Sequence, residues 1–319
     1  MGAGHNHSHG AEHGNTEGST TATGGLSHRA RLAIAFGITL TIVFAQAIGA
    51  VITGSLALLV DTAHMLTDAA GLLMALIAAA LMNRPASKTH TWGLRRAEVL
   101  SAMAQAALLF AVGMFALVEG VRRLFEPPEI ASSSLLIFGI IGLVANVASM
   151  LVLVSGRSAN LNMKAAFLEV VNDALGSIAV IVSAILISTL GWYQADAVAG
   201  ILIAILIVPR TIVLLRATFG VLLERTPKGI DLDEVRAHIL GVDHVVDVHD
   251  LHISLISSDL PVLTAHVVVD DECFTDGHAA RMLPQLQACV AGHFPISIEH
   301  STFQIETQLN ASQEHVAHG

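Results

Sequence analysis

Five ionisable side chains stand inside two long apolar stretches of this 319-residue chain: Asp61, His64 and Asp68 in one, Glu169 and Asp173 in the other. Their spacing puts the first three on one face of a helix, and the four-residue step from Glu169 to Asp173 does the same for the second pair. His64 with Asp68, facing Glu169 with Asp173, makes a set of one imidazole and three carboxylates that could close around one divalent cation. An ionisable group at membrane depth costs at least a few kcal/mol, and neither stretch carries a lysine or arginine at matching depth. A metal ion would neutralise the set. Taken singly, each residue could instead bond between helices or reach an interface. Asp61 lies about 10 Å along the axis from Asp68 at the rise of an α-helix. It reads as the lining of an outward path, as an acceptor for His64, or as an interfacial residue.

The elements that must hold these residues are membrane helices. Six apolar stretches approach the roughly 20 residues a bilayer requires, at 32–54, 56–82, 98–121, 133–155, 165–189 and 195–215, divided by turns such as Thr53-Gly54-Ser55 and Glu126-Pro127-Pro128. Pro209 is a candidate kink in the sixth. Hydrophobic residues are 53% of the chain and charged ones 13%, whereas soluble domains average about 45–50% and about 25%, which excludes an ordinary soluble enzyme. Six spans return both termini to one side. Of the 16 lysines and arginines, all but Arg122 and Arg123 fall on that side, so both termini are expected in the cytoplasm.

After about residue 218 the pattern changes. A helix is expected over 231–240, strands over 245–256 and 261–270, a helix over 275–292 and a strand over 297–307. This αββαβ order predicts a small open sheet with helices on one face. The expected organisation is a His-rich disordered segment at 1–28, a six-helix α-helical transmembrane domain at 29–216, a cytoplasmic α+β domain at 217–308 and a disordered tail at 309–319. The net charge of -10 and the lack of a Lys/Arg run exclude nucleic acid as a partner. Two cysteines, Cys273 and Cys289, make no disulfide framework and no CxxC pair, which suits a reducing compartment. No signal peptide is visible in the first 28 residues, and a bacterial inner membrane fits best. A metal-dependent membrane hydrolase is the enzyme alternative, but an HExxH ligand set is absent. So is the phosphate loop of an ATP-driven pump.

Several ordered motifs carry a family resemblance. The segment from Ser55 to Asp68, SLALLVDTAHMLTD, resembles the second span of the cation diffusion facilitators, zinc-exporting branch, cobalt-zinc-cadmium resistance type. Gly93-Leu94-Arg95-Arg96-Ala97-Glu98 resembles the start of their third span, Asp173-Ala174-Leu175-Gly176-Ser177 their fifth, and Leu223-Glu224-Arg225-Thr226-Pro227 their passage into the C-terminal domain. Val248-His249-Asp250-Leu251-His252 matches a strand of that domain. The resemblance covers roughly residues 30 to 307. It implies a homodimeric metal-for-proton antiporter with a metallochaperone-like cytoplasmic domain, carrying Zn2+ outward and protons inward, with His64, Asp68 and Asp173 in the transport site. Glu169 departs from the zinc branch, which usually has His there. The extra carboxylate tilts the site toward harder metals. Zinc stays first, ahead of cobalt, cadmium, manganese and iron.

Histidines outside the membrane are numerous, 17 occurring in all. His5, His7, His9 and His13 form an N-terminal tract suited to weak metal capture, echoed by His315 and His318. In the resembling family, positions corresponding to His249, His266 and His300 contribute to a cytoplasmic metal site. His278 could complete it and Asp250 adjoins it. Thr302 stands where some relatives carry a further acid.

Overall fold

The computed structural model describes residues 28–154, 161–275, 277–292, 294 and 296–313, without the side chains of 28–33, 35–36 and 161–166. Six long helices come first: α1 (His28–Thr53), α2 (Leu56–Met82), α3 (Ala97–Phe125), α4 (Ser132–Val154), α5 (Leu161–Leu190) and α6 (Gln194–Leu222). Five are long and apolar enough to cross a bilayer, and the described apolar part of α1 is Gly37–Thr53. Leu56, Val60, Leu135, Val180 and Ala204 pack inside the bundle. Phe44, Val51 and Leu206 point outward and exposed, as lipid-facing residues do when there is no water to avoid. The chain is an integral membrane protein.

α6 runs unbroken through Pro209 to Leu222, so the boundary expected at 216/217 falls inside a helix. Composition marks where apolar surface stops being needed. It does not end a helix: residues 217–222 contain no proline, and the backbone stays helical through Gly220 to Leu222.

Two devices fix the height and spacing of α2. At its start Asp196, from the first turn of α6, accepts from the backbone N–H of Leu56 at 2.6 Å and of Ala57 at 3.4 Å, and from the Ser55 hydroxyl. A carboxylate there satisfies orphan donors and complements the helix dipole. Along its length, α2 meets α5 at Gly176, where a Cβ would stand 2.5 Å from Oδ1 of Asp61. An added Cβ there would displace the Asp61 carboxylate, so glycine lets the two helices approach with Asp61 in this position. Interhelical bonds tie α1 to α2 (Gln46 to Asp61, 3.0 Å) and α4 to α5 (Asn146 to Ser177, 3.2 Å).

The cytoplasmic domain contains α7 (Leu232–Leu240), β1 (Val245–Ser257), β2 (Leu260–Val269), a 3-10 turn at Asp271–Phe274, α8 (Ala279–Gly292), β3 (His300–Glu306) and α9 (Gln308–Gln313). β2 is central, antiparallel to β1 and parallel to β3. Val235 and Ile239 of α7, Met282 and Leu286 of α8, and Leu263, Ala265 and Val267 of β2 share one core. Alternate β2 residues therefore face both helices, and the other face carries no helix from this core. α8 begins four residues later than expected, after the 3-10 turn that buries Cys273 and after Gly277 at φ 80°. Residues 309–313, expected to be disordered, are helical. Thr307 caps them, its hydroxyl accepting from the N–H of Asn310 at 3.3 Å. The tract at His5 to His13 and the pair His315 and His318 lie outside the described residues.

Candidate metal site in the membrane helices

Helical spacing and the close α2–α5 contact together bring His64, Asp68 and Glu169 to one place. Nε2 of His64 lies 3.5 Å from Oδ2 of Asp68 and 3.5 Å from Oε1 of Glu169. The ligand atoms of all three lie within 4.8 Å of one another. Asp173, one turn further along α5 and 5% exposed, stands outside that trio. Each of the four keeps one buried atom without a hydrogen bond: Nδ1 of His64, Oδ2 of Asp68, Oε1 of Glu169 and Oδ1 of Asp173. Leaving such groups unsatisfied is costly. Three anionic oxygens turned inward beside one imidazole suit a divalent cation.

Asp61 is 2% exposed, which removes the interfacial reading. Its carboxylate bonds Gln46 and abuts Gly176, and no hydrogen bond joins it to His64. It does line a cavity of about 260 Å³ together with His64, Asp68, Gln105, Asn172 and Arg210. That position suits a path to the site.

Two neighbours escape a search confined to α2 and α5. Arg210 of α6 donates from Nη1 at 3.2 Å and Nη2 at 3.1 Å to Oε2 of Glu169; α2 and α5 carry no lysine or arginine at this depth, as expected, and the partner reaches the site from outside them. The cation comes from a third helix, 41 residues on. An arginine beside Pro209, within an apolar stretch, was the available signal. Gln105 of α3 donates to Oδ1 of Asp68 at 3.4 Å and packs against Gly71, where a Cβ would meet it at 2.0 Å.

In the cytoplasmic domain, His249 and His266 are a cross-strand pair with ring centroids 5.0 Å apart. A bulge after His249, with Asp250 at φ 49°, lets His249 and His252 both pair with β2 residues, His266 and Thr264, that alternate with those of the core. The third group is Glu306, 2% exposed, whose Oε1 lies 2.6 Å from Nε2 of His249 and 3.7 Å from Nδ1 of His266. These three form the second group of candidate ligands among the described residues.

His300 is not among them. It opens β3 opposite Val262 while His266 lies opposite Gln304, an offset of about 13 Å along the strand. Its ring instead meets Trp92 edge-on at 4.8 Å. His278 stands at the start of α8 beside His244, with ring centroids 5.2 Å apart, and Nδ1 of His244 lies 3.3 Å from Asp270. Asp250 bonds Nε2 of His252 at 2.9 Å. Parallel register chose Glu306, which no spacing pattern singled out. The cysteines join neither cluster, and burial pushes the Cys289 thiol up from its ordinary value.

The model of the cation efflux transmembrane domain matches residues 32–223, and that of the cation efflux protein cytoplasmic domain matches 227–308. The metal cation efflux system protein CzcD of Cupriavidus metallidurans is 42% identical over 306 residues, 96% of this chain and 90% of that one. A cadmium, cobalt and zinc/H(+)-K(+) antiporter of Bacillus subtilis is 36% identical over 267 residues, 83% of this chain and 85% of that one. The zinc transporter ZitB of Escherichia coli is 34% identical over 280 residues, 87% of each chain. Two family domains joined in order, over a helical bundle with acids and histidine turned inward and a small mixed sheet behind it, leave one assignment: the chain belongs to the cation diffusion facilitator family and is a metal cation efflux transporter.

Proposed function

We propose that this transporter exports Zn2+ from the cytoplasm in exchange for protons, with His64, Asp68, Glu169 and Asp173 as its transport ligands. The observation that carries the reading is that each of these four residues holds one buried nitrogen or oxygen with no hydrogen bond, on two helices that touch. Relatives described as transporting zinc, or cadmium, cobalt and zinc, support the cargo. Cobalt, cadmium, manganese and iron rank behind it: the surrounding motifs follow the zinc branch, although a single imidazole among carboxylates favours zinc less than two would.

Imidazole and carboxylates bind metal only when deprotonated, so protons and metal compete for one set of atoms. A site that opens inward near neutral pH loads metal. The same site, opened to a more acidic exterior, takes up protons and releases it. Asp61 lines the outward path and the helices rock about the mid-membrane site.

Both termini face the cytoplasm, the membrane is a bacterial inner membrane, and the working unit is a homodimer, as the resemblance implies. His249, His266 and Glu306 hold a second, resident metal that steadies the cytoplasmic domain. The tract at His5, His7, His9 and His13 captures metal for the bundle. Reconstituted vesicles test the central reading. Zinc uptake driven by an imposed pH gradient, and abolished by collapsing it, is expected; uptake indifferent to the gradient overturns proton exchange.

A further inference from the structure

The carboxylate of Glu169 is divided between two tasks. Oε2 accepts both nitrogens of the Arg210 guanidinium, at 3.2 and 3.1 Å. Oε1 is buried, makes no hydrogen bond and faces His64 at 3.5 Å. Arg210 itself lines the cavity shared by Asp61, His64 and Asp68. The guanidinium therefore stands at the site's edge with its fork spent on the oxygen that points away from it.

Charge and geometry give this a consequence. One neutral imidazole and three carboxylates carry three negative charges, so a divalent cation leaves one uncompensated; the guanidinium cancels it. A set with histidine in place of Glu169 would need no such partner. Meanwhile, an oxygen committed to Arg210 is not free to swing onto the metal, and a carboxylate confined to one oxygen supports four-coordination. Released, it could bind through both, adding the extra oxygen that harder, higher-coordinate cations prefer.

We infer that Arg210 is a positioning residue that sets which metals are carried: it holds Glu169 to a single ligand oxygen and keeps the loaded site from becoming too anionic to let its metal go. The inference rests on the proposed transport site, and its test separates the two. Insertion and assembly of every Arg210 variant are compared with the wild type before flux is read, so that a folding defect is not mistaken for a change in selectivity.

The experiment measures Zn2+ and Mn2+ flux by the full-length protein in vesicles for wild type, Arg210→Gln, Arg210→Lys, Glu169→His, the Glu169→His/Arg210→Gln pair and Asp173→Ala. Removing a positive charge next to the bound metal tightens binding and slows release. Arg210→Gln is therefore expected to lower both the zinc KM and kcat, kcat by about tenfold, and to raise the manganese-to-zinc ratio of kcat/KM at least about threefold. Arg210→Lys keeps the charge without the planar fork, so KM stays near the wild-type value while the ratio still rises. In the Glu169→His background, Arg210→Gln leaves the ratio unmoved, since no carboxylate is released. A wild-type ratio in Arg210→Gln, or an equal shift in both backgrounds, overturns the inference. Flux retained by Asp173→Ala overturns the site reading itself, whatever the arginine variants do.

Discussion

In the membrane, His64 and Asp68 come from successive turns of α2, and Glu169 and Asp173 from successive turns of α5. In the cytoplasmic domain, His249, His266 and Glu306 come one each from three strands. The first group has three acids to one imidazole, and its inward atoms lack hydrogen bonds. The second has two imidazoles to one acid, and Glu306 already bonds His249 at 2.6 Å. The difference matches two jobs. On the proposed reading a carrier must load and unload, so each ligand keeps one buried atom without a hydrogen bond even where its other oxygen is held by Arg210 or Gln105. The proposed resident site has ligands that hold one another in place, as suits a metal that is not meant to leave.

The sharpest break between the two comes from deleting one acid on each helix of the membrane site. Asp68→Ala and Asp173→Ala are expected to cut vesicle zinc flux to background while the protein inserts and assembles as before. Full flux in both would remove the membrane site from the comparison. Next in size, Glu169→His is expected to keep zinc flux above background and reduce manganese flux relative to zinc by about tenfold, read in the same vesicles with both metals. An unchanged ratio would mean that the acid count at this position does not distinguish the sites.

Glu306→Gln tests the resident role from the other side. Zinc is expected to raise the Tm of the wild-type protein, since a ligand that binds only the folded state stabilises it. In the variant, more than half of that rise is lost, while flux falls by less than about tenfold. Chelation then lowers the wild-type Tm and barely moves the variant. If flux collapses as in Asp68→Ala, the two sites are not separable. The smallest effect belongs to Gln105→Ala, which frees Oδ1 of Asp68 from a 3.4 Å bond. A severalfold rise in zinc KM is expected, about 1 kcal/mol for one lost hydrogen bond of this length, and kinetics over a zinc series would read it.

The two regions also differ in how much of them the chain discloses before it folds. Period-3.6 placement puts Asp61, His64 and Asp68 together from spacing alone, because a helix relates near neighbours rigidly. Strand partners obey no such rule. His249 and His266 are opposite because of an antiparallel register and a bulge at Asp250, and Glu306 joins them through a parallel register that leaves His300 against Trp92. A shift of a few residues in β3 would have exchanged those roles. Arg210 hid for a related reason. Its partner sits on another helix, so searching α2 and α5 for cations could not meet it.

By itself, then, the order of residues determined a membrane bundle followed by a small α+β domain, and two helix faces bearing acids and a histidine. Those follow from local period and from the cost of charge in lipid, which act on neighbours in the chain. What touches what across elements was decided by the tertiary structure: the depth of α2 through Asp196, the approach of α5 at Gly176, the split of the Glu169 carboxylate between His64 and Arg210, and the choice of Glu306 over His300. Each depends on packing and register between segments far apart in sequence, which spacing within one segment does not encode.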